Sequence, residues 1–188
     1  MTELPFDAEK PTFKRWRIRV FGVTWMSYAG FYFCRKNFAI AKSSIMSSME
    51  IDRSDVAHLF TAYLAAYMVG QFLTGFLGRR VATRMLLLAG MGITLLCNVA
   101  FGFSYLLGPA GYWPFLILMV VNGFAQSTGW PGNVGVLGNW LERRGRGRVM
   151  ALWATCYQFG GVFATWWASL WLALQGWRGS FFAASVVL

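Results

Sequence analysis

The sequence predicts an all-α protein, a polytopic bundle of transmembrane helices, and three observations carry that prediction. Of 188 residues, 57% are hydrophobic and 13% charged, with mean hydropathy +0.48; ordinary soluble domains carry about 25% charge. The charges are clustered, which leaves uncharged runs near the roughly 20 residues a helix needs to cross a ~30 Å hydrocarbon core. Twelve of the seventeen basic residues fall in three groups: Lys10, Lys14, Arg15, Arg17 and Arg19; Arg79, Arg80 and Arg84; Arg143, Arg144, Arg146 and Arg148. Nearly uncharged connections alternate with these groups, which is the positive-inside pattern. Topology therefore accounts for the net charge of +10, and no nucleic-acid partner is implied.

Residues 1–17 read as a polar, proline-containing cytoplasmic tail. The first span is expected over 18–41, ending before Lys42, Ser43 and Ser44, and the second over 56–77 after the acidic loop Glu50 to Asp55. A third follows over 85–107, a fourth over 112–137 and, beyond the third basic group, a fifth over 149–174. The fourth is rich in glycine and contains Pro131, which removes a backbone donor and is placed to bend it. A sixth apolar segment opens at 179 and reaches Leu188; ten helical residues rise only ~15 Å, so a truncated sixth helix is expected. Five spans and the start of a sixth suit a six-helix unit cut short. The basic groups place the amino terminus in the cytoplasm and the connections after spans one, three and five outside. No secretory signal peptide is expected ahead of the first span, which is expected to act as a signal anchor.

Function is read from polar residues inside these apolar helices. All seven acidic residues (Glu3, Asp7, Glu9, Glu50, Asp52, Asp55 and Glu142) lie outside the apolar stretches, while Arg35 and Lys36 lie within one. An intramembrane cation costs roughly 3 kcal/mol on insertion scales. The functional reading is an anion site; snorkelling to the outer interface is the alternative for Arg35, remains equally open for Lys36, and suits Lys42. Tyr28, Tyr32 and Arg35 share one helical face, from which Lys36 is rotated by about 100°. The second span presents Tyr63, Tyr67, Gln71 and Thr74, the fourth Asn122, Gln126 and Asn133, and the fifth Trp153, Tyr157 and Gly160. Helix-to-helix hydrogen bonding explains any single one of these stripes equally well. Arginine's planar fork suits a phosphate or carboxylate. Cys34, Cys97 and Cys156 lack metal or disulfide spacing, and His58 reads as an interfacial residue. No nucleophile–base pair or phosphate loop is present, so neither an enzyme nor a cofactor is implied.

The string Tyr28-Ala-Gly-Phe-Tyr-Phe-Cys-Arg-Lys-Asn-Phe-Ala39 resembles the first helix of the organophosphate:phosphate antiporters of the major facilitator superfamily. Asn122-Gly-Phe-Ala-Gln-Ser-Thr-Gly-Trp-Pro131 is similar to that family's fourth helix, and Trp153-Ala-Thr-Cys-Tyr-Gln-Phe-Gly-Gly161 to its fifth. The resemblance covers the whole chain but only the amino-terminal six-helix half of a twelve-helix carrier. It implies a cell-membrane protein that exchanges an organic phosphate, such as a glycerol or hexose phosphate, for inorganic phosphate by alternating access. The partners implied are the lipid bilayer, an anionic small molecule and a missing carboxy-terminal half. Arg35 would bind the phosphoryl group, within a site expected to include Tyr28, Tyr32, Lys36, Tyr67, Gln71, Asn122, Gln126, Trp130 and Tyr157. Gln71 stands where the family usually carries Lys, and Tyr157 where some members carry His. Gly75-Phe-Leu-Gly-Arg-Arg80, with Arg84 beyond it, resembles the superfamily's cytoplasmic gating loop, with Arg79 in place of the expected Asp. The family also contains a sugar-phosphate sensor. A receptor on the same scaffold and an inactive fragment are the competing expectations.

Overall fold

A computed structural model describes residues 11–78, 80–142 and 145–188, and among these the chain is helical with no strand. Helix α1 spans Pro11–Met49, α2 Arg53–Leu77 and α3 Thr83–Phe103. A 3-10 segment, Ser104–Gly111, leads into α4 (Tyr112–Ser127), then α5 (Gly129–Gly138) and α6 (Arg146–Val187). The expectations at residues 1–10, Arg79, Arg143 and Arg144 fall outside the described residues.

Several helices run past the limits expected from sequence. The first begins inside the predicted tail and continues past Lys42, because Ala41, Ile45 and Met49 repeat every fourth residue and are fully buried. That stripe gives the polar stretch an apolar face, and the hydroxyls of Ser47 and Ser48 bond back to the carbonyls of Ser43 and Ile45. The acidic loop serves α2 as a capping box. Asp52 accepts from the Asp55 N–H at 2.8 Å, and Asp55 from the Asp52 N–H at 3.1 Å, satisfying two otherwise orphan donors.

Helix α3 stops at Phe103, short of the expected 107, ahead of Gly108 (φ 51°) and Pro109. The fourth expected span is interrupted at Thr128, which separates α4 from α5. Pro131 has no N–H to offer the Ser127 carbonyl four residues back. Hydroxyls of Ser127 and Thr128, at the break, bond back to the carbonyls of Phe124 and Ala125 in the last turn of α4. The fifth and sixth expected segments are joined without a loop. Their helix reverses at one residue, Gly176 (φ 70°, ψ −174°), a conformation essentially restricted to glycine. Arm 177–187 then returns beside arm 146–175, where the Trp167 indole N–H reaches the Ala183 carbonyl at 3.1 Å.

The packing has two apolar clusters with a polar layer between them. Tyr28, Phe31, Leu87, Leu137, Leu141, Trp153 and Cys156 form one; Phe38, Ile45, Leu59, Phe101, Phe115, Met119 and Phe181 belong to the other. On α1 the layer between them holds Arg35. Two contacts are closer than side chains permit. A Cβ on Gly123 would lie 2.6 Å from the Tyr63 carbonyl oxygen, and one on Gly160 2.9 Å from Ala29 Cα, so α4 meets α2, and α6 meets α1, at backbone distance. Outward faces are strongly apolar, with Phe72, Val162 and Val186 exposed by 76%, 68% and 86%. Water-soluble proteins avoid such continuous patches. Arg53–Leu77 and the stretch Thr83–Gly138 are each long and apolar enough to cross a bilayer.

Candidate functional site

Arg35 leaves α1 toward α2 and α4. Its Nε donates to Gln126 Oε1 at 2.8 Å, and the Tyr63 hydroxyl donates to the same oxygen at 2.9 Å. The guanidinium carbon sits 5.1 Å from the Tyr32 ring centre and 4.8 Å from that of Tyr67. Nη2 is buried and has no hydrogen-bond partner among the described residues; the same holds for Gln126 Nε2 and Asn122 Oδ1. No carboxylate among the described residues pairs with Arg35; the described ion pair, Arg17 with Glu142 at 2.9 Å, lies near the start of α1.

Magnitudes show how the cation is accommodated. Two desolvated cation–π contacts supply up to ~2 kcal/mol each, and a hydrogen bond to a charged group ~1.5–3 kcal/mol. Together they are large enough to offset the insertion-scale penalty of roughly 3 kcal/mol. The site therefore holds a positive charge without a counter-ion among the described residues, yet keeps directed donors unused. The cavity shared by Arg35, Tyr63 and Asn122, with Phe38, Met119 and Phe181 as apolar wall, is only about 10 Å³, room for one water at most. An anion of phosphate size does not fit there; on its half-buried side the guanidinium is flanked by Tyr32 and Tyr67, with the half-buried Gln71 one turn further along α2.

The other expected residues are distributed as follows. Tyr28 is buried in an aromatic group, its ring 5.7 Å from Tyr32, 5.3 Å from Trp130 and 5.7 Å from Trp153. Trp153 donates its indole N–H to Thr24 at 3.1 Å. Lys36 diverges from Arg35 as the helical rotation requires, and its Cε lies 4.0 Å from where a Cβ on Gly161 of α6 would stand. Tyr157 and Trp130 are partly exposed, at 39% and 37%, and no contact brings either to the guanidinium. Of the expected gating loop, Gly75 lines a cavity of about 230 Å³ between α2, α3 and α5. Arg80 lies 5.2 Å from the centre of the Phe76 ring, and Arg84 is exposed. Tyr63 was visible as part of a stripe, but its bond to Gln126 was not, because the partner comes from a helix 63 residues away. Asn37, next to Lys36, is fully buried and donates to Asn98 Oδ1 at 3.2 Å, a helix-to-helix bond. No group of three or more metal-ligating side chains occurs among the described residues.

Comparison with known proteins agrees with this architecture. The family model for the Major Facilitator Superfamily matches residues 24–188. A probable hexose phosphate transport protein of Chlamydia muridarum is 27% identical over 96% of this chain and 39% of its own length. The membrane sensor protein UhpC of Escherichia coli is 34% identical over 80% of this chain and 33% of its own. A putative glycerol-3-phosphate transporter 2 of Arabidopsis thaliana is 32% identical over 94% of this chain and 37% of its own. The chain thus spans a third to two fifths of the length of these relatives. No solved structure matches it. Such relatives are not enzymes, and neither is this chain. On the extent of the family match and the motifs around Arg35, the chain belongs to the Major Facilitator Superfamily of integral membrane proteins, among the organophosphate:phosphate antiporters and their relatives.

Proposed function

We propose that this chain forms the amino-terminal half of a secondary carrier for an organic phosphate, with Arg35 as the principal contact for the phosphoryl group. The single observation that carries the reading is the buried Arg35 Nη2, which lacks a partner among the described residues while its Nε is held by Gln126. A phosphoryl oxygen supplies both the acceptor and the counter-charge, and a hydrogen bond of this type is worth ~1.5–3 kcal/mol. Tyr32 and Tyr67 flank the guanidinium without neutralising it. In this reading Gln71 borders the approach, and Asn122 backs Arg35 from the buried cavity. Lys36, Trp130 and Tyr157 belong to the wider site away from the guanidinium, and Tyr28 supports the site from the aromatic group behind Tyr32.

In this reading the chain supplies five membrane spans and the start of a sixth, its amino terminus cytoplasmic, and a second six-helix half covers the half-buried side of Arg35. The greater length of the relatives supports that second half. Rocking of the halves would expose the site alternately to each side, with inorganic phosphate as the exchanged anion. In proteoliposomes holding the full-length protein, Arg35→Ala is expected to abolish phosphate-driven counterflow of glycerol 3-phosphate and hexose 6-phosphates. Undiminished exchange would remove the basis of the proposal.

The similarity to the sensor UhpC, together with Gln71 and Tyr157 in place of ionisable residues, favours one second reading: a receptor that binds a sugar phosphate and signals. Saturable binding of that ligand without measurable flux would select this reading over the carrier.

A further inference from the structure

A second chamber, far larger than the Arg35 cavity, adjoins it. Its volume is about 730 Å³, and it lies between the last turns of α1 and the first turns of α2. Two cations line it, Lys42 and Arg53, with the hydroxyls of Ser43 and Ser47; no described lining residue is acidic. The neighbouring carboxylates of Asp52 and Asp55 are turned to each other's backbone N–H groups, while Glu50 is exposed in the turn between the helices. Phe38 and Phe60 belong to the walls of both this chamber and the Arg35 cavity. Their rings stack 6.3 Å apart at 8°, and Phe60 stacks in turn on Tyr63, whose hydroxyl meets Gln126.

We propose that this chamber is a staging subsite for the same phosphorylated solute, held by Lys42 and Arg53, and that the Phe38–Phe60 stack separates it from Arg35. The inference rests on the carrier reading above. A cleft lined by one sign of charge with low-dielectric walls concentrates the opposite ion and raises its on-rate. Two hydrated, exposed cations bind weakly enough to release an anion onward. Arg35, partly stripped of water and presenting directed donors, binds it more firmly, so the two sites form a gradient of affinity. The stacked rings block the direct line between them and must part for passage, which links solute transfer to the approach of α1 and α2.

The test uses the full-length protein in two arms. In exchange assays, the double variant Lys42→Gln/Arg53→Gln is expected to raise the KM for the organic phosphate roughly tenfold, about threefold per exposed cation. Its maximal rate should be retained and the salt dependence of kcat/KM flattened. Intact flux with unchanged KM and salt dependence would overturn the subsite. In the second arm Ala57→Cys, on the chamber wall, is labelled with a membrane-impermeant maleimide; Cys34, Cys97 and Cys156 are buried. Inorganic phosphate should slow that labelling even with Arg35→Ala added, because the chamber binds independently of the inner site. Protection that vanishes with Arg35→Ala would overturn the proposal. So would a complete lack of labelling in the Ala57→Cys variant, which would mean that the second half of the protein fills the chamber. Exchange that survives Arg35→Ala would instead sink the assignment of Arg35 as the phosphoryl contact and leave the protection result standing.

Discussion

At the scale of single residues, Gln126 decides what Arg35 can do. Its side-chain oxygen accepts two donors, from Arg35 and Tyr63, and so fixes the guanidinium plane while adding no charge. Glutamate at the same position would keep the geometry and neutralise the cation from within. Gln126→Glu is therefore expected to raise the apparent KM for phosphate by more than about tenfold, the loss of one charge-assisted bond, while thermal stability in detergent is unchanged or improved. Gln126→Leu strips an acceptor from two donors and should instead lower stability by roughly 1–3 kcal/mol for each buried group left unsatisfied. Paired melting and transport measurements separate the two outcomes.

At the scale of helices, the site depends on close backbone approach. Gly123 brings α4 against Tyr63 and Ala66 of α2, one turn from the Gln126 that Tyr63 contacts. A valine at 123 would push the helices apart and separate that pair. Gly123→Val should reduce both stability and anion binding, whereas Gly22→Ala, where a Cβ meets nothing within 4 Å, should leave both unaffected. Gly176→Ala tests the reversal in α6: a φ of 70° with ψ near −174° should cost roughly 1–3 kcal/mol with any other residue, seen as a lower melting temperature with KM retained.

At the scale of the whole molecule, the distribution of charge makes a topological prediction. Ser54, at the start of α2, and Ala82, just before α3, are both exposed and lie at opposite ends of α2. Positive-inside asymmetry places Ser54 outside and Ala82 in the cytoplasm. Intact cells bearing Ser54→Cys should label with an impermeant maleimide, and cells bearing Ala82→Cys only after permeabilisation. The reverse pattern would invert the assigned orientation and place the cationic chamber on the cytoplasmic side.

The sequence alone determined the all-helical class, the family and the expense of Arg35, because hydropathy, charge clustering and short motifs are local properties of the chain. It also placed Tyr32, Tyr67 and Gln126 on the polar faces of their helices through the 3.6-residue period. Helix ends were less legible. Buried Ile45 and Met49 extend α1 through a polar stretch, and Gly176 turns α6 without a loop; both depend on what packs alongside. Only the tertiary structure decided that Nε of Arg35 is engaged while Nη2 has no partner among the described residues, that Lys36 faces α6, and that Phe38 and Phe60 line both the Arg35 cavity and the chamber beside it. Those facts are set by contacts between helices distant in sequence, and the helical period fixes a side chain's direction without naming what it will meet.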